Sequence, residues 1–249
     1  MTDTQGSRYS EWKGWRAGSF GNCPRNKAAY FAAEVARVRG LDRGAAKVLE
    51  IGSGNGEFAG WARAEGWTYS GTELLEAQLK EGRAAGFDIH PATLDLLQVA
   101  GAGTQDLIVA FDVLEHLTLV DLARLLDSAR MVLRENGRIL ARVPSGDSPF
   151  ARHIQHGDVT HKSVLGSSAI RQLAESARLA VGFIGSPVMV FRGLPPTTLI
   201  RRSLVMAACW PIHLTVRNLL MGDSCAIISP NLVFCLEKGN ARQSSEATL

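Results

Sequence analysis

Short apolar runs alternate along the chain with longer stretches whose apolar side chains return every three or four positions. The runs have the continuity of strands buried on both faces, and the stretches have the period of helices. Asn26 to Arg39, with Tyr30, Phe31, Val35 and Val38 at helical spacing, predicts a first helix that Gly40 stops. Val48 to Ile51 then reads as a strand, Phe58 to Ala64 as a helix, and Trp67 to Glu73 as a second strand. Leu74 to Ala85, closed by Gly86, predicts the next helix, and Phe87 to Ile89 a short third strand. Asp106 to Asp112 is the clearest buried strand. Leu119 to Leu133 is a helix, apolar along Leu122, Leu125, Leu126, Ala129 and Val132, and Asn136-Gly137 is expected to end it. Arg138 to Val143 alternates as a fifth strand that Pro144 stops. Ser167 or Ser168 is placed to cap a helix running to Arg178, and Val181 to Ile184 and Leu232 to Leu236 are the last two strands. Strands alternating with helices imply a parallel sheet, which binds ligands beyond the carboxyl ends of its strands.

The sharpest signal lies where the first strand meets its helix, Lys47-Val48-Leu49-Glu50-Ile51-Gly52-Ser53-Gly54-Asn55-Gly56-Glu57-Phe58. Glycines at alternate positions allow a tight turn, and without a Cβ they let a ligand lie on the backbone. The new helix points free N–H groups at that ligand. The dinucleotide fingerprint is G-x-G-x-x-G; here the pattern is G-x-G-x-G, and Glu57 takes the place of the third glycine. A carboxylate at Glu50 would repel a pyrophosphate and suits a cationic ligand. Glu73 closes the second strand, 23 residues after Glu50; nucleotide folds place a ribose-binding acid at a spacing of about 20 residues. Glu50, Glu73 and Asp112 should share one edge of the sheet.

A chain of 249 residues fits one large domain, or one domain with an embellishment. Apolar residues make up 46% and charged ones 20%, which is ordinary for a globular protein, and a net charge of +3 is too small to imply nucleic acid. The cysteines, Cys23, Cys209, Cys225 and Cys235, form no CxxC pair, which argues against a zinc knuckle or disulfide scaffold and fits a reducing, cytoplasmic setting. The opening MTDTQGSRYSEWKGW has no apolar core and predicts no signal peptide. Trp12, Trp15 and Phe20, set in a polar segment, must cover something, either the first helix or the ligand cleft. Residues 1–46 thus read as an aromatic segment and helix, 47–239 as the main domain, and 240–249 as a disordered tail.

Glu50 to Gly56 resembles the first motif, E-x-G-x-G-x-G, of class I S-adenosylmethionine-dependent methyltransferases. Glu73 and Asp106 to Leu117, with its Leu114-Glu115-His116-Leu117, are similar to that family's later motifs and stand in register with the first. The resemblance implies an α/β, Rossmann-like, doubly wound and mostly parallel seven-stranded sheet with helices on both faces. It also implies S-adenosylmethionine as cofactor, held by Glu50, Gly52, Gly54, Gly56, Glu73, Asp95, Phe111 and Asp112, with Asp95 where the family contacts the adenine amino group. The last two strands would form its closing antiparallel hairpin.

Two segments lie outside the common core. Residues 144–161, PSGDSPFARHIQHGDVTH, hold His153, His156 and His161 and resemble the V-P-N…G-D-x-T-H segment of methyltransferases encoded with bacterial surface-polysaccharide genes, with Ser145 in place of the usual Asn. The resemblance implies a sugar hydroxyl or other small or glycan acceptor. An alcohol nucleophile benefits from a general base near neutral pH, a role that suits histidine. His116 and His161 are the candidates, with Glu115 placed to orient either, and no metal ligand is assigned. A competing resemblance is Asp112-x-x-Glu115-His116, similar to the divalent-metal motif of ubiquinone-biosynthesis and small-RNA 2′-O-methyltransferases. A binding module without turnover is the rival outside enzymes. The second segment, 186–222, sits in a stretch from Ser176 to Gly222 with five arginines and no acid; its 203–216 run is uncharged but too short to span a bilayer. It suits an interfacial helix touching anionic lipid, a lipid-linked acceptor, or packing on the core or a second subunit.

Overall fold

The computed structural model describes residues 12–191, 194–220 and 227–239. Its strands are β1 (Lys47–Ile51), β2 (Thr68–Glu73), β3 (Ile89–Pro91), β4 (Gln105–Phe111), β5 (Leu133–Pro144), β6 (Ala180–Gly185) and β7 (Asn231–Glu237). They form one sheet in the order β3-β2-β1-β4-β5-β7-β6. The pairs from β3 to β5 are parallel, while β7 runs antiparallel to both β5 and β6. The helices are α1 (Arg25–Val35), α2 (Glu57–Ala64), α3 (Glu76–Ala84), α4 (Leu96–Ala100), α5 (Leu119–Val132), α6 (Arg152–Gln155), α7 (Ser167–Ser176) and α8 (Pro196–Thr215). The parallel part is what the alternation of runs and periods predicts, and the whole is the α/β, doubly wound seven-stranded sheet that the motif resemblance implies.

Both faces of the sheet are covered because successive strand residues point opposite ways. Leu107 and Val109 of β4 pack with Phe31 of α1 and Phe58 and Trp61 of α2. Their neighbours Ile108 and Ala110 pack on the other face with Leu122 and Leu126 of α5 and Ile170 of α7. Nearly every residue of β1 and β4 is therefore buried. The chain leaves β1 toward β2 and β3 on one side and returns through β4 and β5 on the other. That reversal opens a crevice beyond the carboxyl ends of β1 and β4.

Several boundaries differ from the sequence reading. Asn136-Gly137 does not end α5, which stops at Val132; Leu133, fully buried, already pairs with Gln105 of β4. Asn136 instead takes φ +62 inside a break in the strand register. Neither Ser167 nor Ser168 caps α7: Gly166 is the N-cap residue, and the Asp147 carboxylate accepts the Ser167 N–H at 2.8 Å, tying the 144–161 segment to the helix. The third strand starts at Ile89, because Phe87 turns inward against Phe20 and Tyr69. The disordered tail expected from residue 240, and the polar opening to Ser10, fall outside the described residues. No helix among the described residues is long and apolar enough to cross a membrane.

Candidate active site

The glycine turn is required by its own conformation. Gly52, Gly54 and Gly56 have φ of +72, +53 and +73, a region that side chains rarely adopt. The space is filled as well. A Cβ on Gly52 would stand 2.6 Å from a Val113 methyl, and one on Gly56 would stand 2.3 Å from the Phe20 ring and 2.8 Å from the Gly21 backbone nitrogen. Phe20 is thus a wedge behind the turn, and Trp15 lies over Gly54, so the aromatic segment covers the turn rather than α1. Glu73 pins the turn to β2: one carboxylate oxygen accepts the N–H groups of Leu74 and Leu75 at 2.7 and 2.8 Å, and the other accepts that of Gly54 at 2.7 Å.

These elements wall a cleft of about 1150 Å³ at the carboxyl edge of the sheet. Glu50, Gly52, Gly54, Glu73, Asp95, Phe111 and Asp112 all line it; Gly56 does not, and acts behind the turn. Asp95 caps α4 by accepting the Leu97 N–H at 2.8 Å and also takes the Ser128 hydroxyl. Phe111 stacks among Tyr30, Phe31 and Phe58. Asp112, at φ +57, holds Arg142 through both its oxygens. Burial pushes the carboxyl groups of Glu50 and Glu73 above the usual carboxylate range, although the Tyr69 hydroxyl bonds Glu50 at 2.6 Å. A cation in the cleft would relieve both groups, and a pyrophosphate would oppose them. The donor set therefore fits the sulfonium and ribose of S-adenosylmethionine better than a dinucleotide.

The 144–161 segment closes the other side of the cleft. Asp158 accepts the Thr160 hydroxyl and N–H, and Thr160 Oγ1 lies 2.9 Å from His116 Nδ1. A hydroxyl has one proton; with it directed to Asp158, Thr160 must accept from His116. The network thus assigns the ring proton to Nδ1 and leaves the Nε2 lone pair open. Burial, helped by the neighbouring His161, holds His116 below the ordinary histidine range. Against burial, the Thr160 bonds and the two histidines hold Asp158 below the carboxylate range. Lys13 reaches Asp158 at 3.8 Å, so the aromatic segment and this loop meet over the cleft.

His116 and Thr160 line the cleft; His161 does not. It sits behind, ring centroid 4.8 Å from that of His116, and donates Nδ1–H to the Gln155 carbonyl at 2.9 Å. Its Nε2 is 3.9 Å from Glu115, which is buried with Oε2 lacking a hydrogen-bond partner among the described residues. Burial, then Asp112, pushes the Glu115 carboxyl up to about 8. Glu115, His116 and His161 each offer a ligand atom within 4.8 Å of the others; Asp112, engaged with Arg142, is not in that group. Sequence reasoning singled out Trp15 as a cover and missed Asp158, Thr160 and Arg142. Asp158 and Thr160 stand inside the G-D-x-T-H segment, whose polar residues carried the only available signal.

No curated protein matches the chain. Among solved structures, it is similar to an S-adenosylmethionine-dependent methyltransferase from Archaeoglobus fulgidus at 16% identity and TM-score 0.60, over 85% of this chain and 94% of that one. It is also similar to a putative sarcosine dimethylglycine methyltransferase from Galdieria sulphuraria, at 17% identity and TM-score 0.59, over 96% and 99%. A third neighbour is the [4+2]-cyclase SpnF, at 14% identity and TM-score 0.59, over 95% and 93%. At such identities the likeness is one of fold. The methyltransferase domain family model matches residues 25–181, well over half of the sequence, and the chain belongs to that family.

Proposed function

We propose that this methyltransferase uses S-adenosylmethionine to methylate a hydroxyl group, with His116 as general base. The observation that carries the base is the chain Asp158–Thr160–His116, which fixes the tautomer and leaves Nε2 able to take a proton. Bound in the cleft, the cofactor supplies an already activated sulfonium methyl. The protein's part is chiefly positioning. Glu73 holds the turn that cradles the cofactor, and Asp112 and Arg142 brace one another at the mouth. Trp15 and the loop bearing Val159 and Thr160 line two sides of the cleft. As the hydroxyl attacks the methyl carbon, its proton passes to His116 Nε2, while His116 Nδ1 keeps its own proton and donates it to Thr160 Oγ1.

Support for a sugar acceptor comes from the resemblance of residues 144–161 to the loops of surface-polysaccharide methyltransferases. Glycans from cells with and without the chain should differ by the mass of one methyl group. Identical glycan profiles would remove the sugar and leave another hydroxyl acceptor.

A second reading is favoured by the Glu115, His116 and His161 cluster. One carboxylate and two imidazoles suit a divalent ion, which would acidify a bound hydroxyl. Turnover that survives a strong chelator supports the base; turnover that the chelator abolishes and a divalent ion restores supports the metal.

A further inference from the structure

Among the described residues, the protein covers little of helix α8 beyond its first turns, where Arg202 donates to the Val190 carbonyl at 3.0 Å. Leu204, Val205 and Met206 are consecutive, so at about 100° per residue they point to three different sides, yet they are 65%, 54% and 39% exposed. Trp210 and Ile212, further along, are 67% and 53% exposed. A helix that is apolar all round is ordinarily immersed, in a protein core or in lipid. A groove on a partner would cover one side of it and leave the others wet.

The charges say which medium is present. Arg201 and Arg202 stand near the start of α8, and no acid occurs from Ser176 to Gly222. From Ser203 to Val216 there is no charge at all. The uncharged part of the helix is roughly 20 Å long at about 1.5 Å per residue, and a bilayer core is about 30 Å thick. It therefore reaches into one leaflet and cannot cross. The arginines then fall at headgroup level, where anionic lipid would neutralise them. A cavity of about 590 Å³ at this end is walled by Tyr30, Arg201, Arg202 and Met206 and shares Lys27 and Arg142 with the main cleft.

We propose that α8 is a monotopic membrane arm that immerses its apolar length in one leaflet of an anionic bilayer, with Arg201 and Arg202 at the headgroups. This stands independently of the methyl-transfer reading. It also brings the cavity beside Arg201 and Arg202 to the lipid surface.

The test is flotation of the full chain with vesicles of phosphatidylcholine and phosphatidylglycerol in equal parts. The chain should float with these vesicles, and less with phosphatidylcholine alone. Lipids brominated on their acyl chains should quench its tryptophan fluorescence, and Trp210→Phe should remove most of that quenching. The double variant Leu204→Glu/Trp210→Glu should partition at least about tenfold less while melting at the wild-type temperature. Should that variant misfold, the quenching lost in Trp210→Phe still decides. A chain that stays at the bottom of the gradient, equal flotation with neutral lipid, or flotation unchanged in the double variant would overturn the proposal. So would a stable dimer that fails to float and is split by the double variant, which would make α8 an interface between copies.

Discussion

Replacing Glu73 by glutamine exchanges one carboxylate oxygen for an amide NH2 and separates the turn from the strand that holds it. In the native chain three N–H groups converge on the carboxylate, from Leu74 and Leu75 on one oxygen and Gly54 on the other. Glutamine keeps its carbonyl for the first two and faces Gly54 with an amide N–H, donor against donor. One charge-assisted bond is lost inside a residue only 6% exposed, a cost of about 1.5–3 kcal/mol. Because burial already raises the Glu73 carboxyl toward its neutral form, the lower half of that range is the better expectation. For a chain of this size 1 kcal/mol moves the melting temperature by about 2–4 °C, so Glu73→Gln should melt roughly 3–8 °C lower. The Gly54 turn is also the proposed cradle of the cofactor. Calorimetry should show S-adenosylmethionine binding weakened by roughly 10- to 40-fold, since each 1.4 kcal/mol or so is tenfold. A variant that melts and binds like wild type would refute the pinning role of Glu73 and the placement of the cofactor on this turn.

Gly56→Ala should be worse than an ordinary glycine substitution. Its Cβ meets Phe20 and the Gly21 backbone at a positive φ, so a loss of about 2–4 kcal/mol in chemical denaturation is expected; a loss below 1 kcal/mol or so would show that the wedge can yield. His116→Ala should lower turnover by about 10²–10⁴-fold with cofactor affinity unchanged. Thr160→Val should lower it about tenfold and Thr160→Ser should keep it near wild type; equal activity in both variants and in wild type would exclude the relay. Because His116 is held below the ordinary value of 6.5, it is neutral at pH 7 and charges only on acidification. The acid limb of the turnover profile should therefore lie below pH 6.5 and vanish in His116→Ala. A limb above that value would contradict the burial of the base.

The sheet and the glycine turn were legible because both rest on local rules. Two-sided burial turns β1 and β4 into continuous apolar runs, and a positive-φ turn admits little but glycine. Glu50 and Glu73 were legible for a related reason, since strand ends have fixed places in a parallel sheet. The rest depends on contacts distant in sequence. Nothing near Ser167 reveals that Asp147 caps its helix, and nothing near Leu133 reveals that pairing with Gln105 ends α5. The relay joins His116 to Thr160 across 44 positions, so the two histidines looked equivalent until the fold set one in the cleft wall and the other behind it. In α8, the composition showed basic and apolar residues, but only the structure shows that Leu204, Val205 and Trp210 are each more than half exposed.

Methyl transfer itself is tested most directly with S-adenosylmethionine carrying a deuterated methyl group. The purified chain would be incubated with this cofactor and a hydroxyl-rich glycan fraction, and the glycans read by mass spectrometry. Deuterated methyl groups on oxygen, formed together with S-adenosylhomocysteine and reduced at least about 10²-fold in His116→Ala, are the expected result. Cofactor that binds but is never consumed, or label that appears on nitrogen or carbon instead of oxygen, would contradict hydroxyl methylation by this cleft.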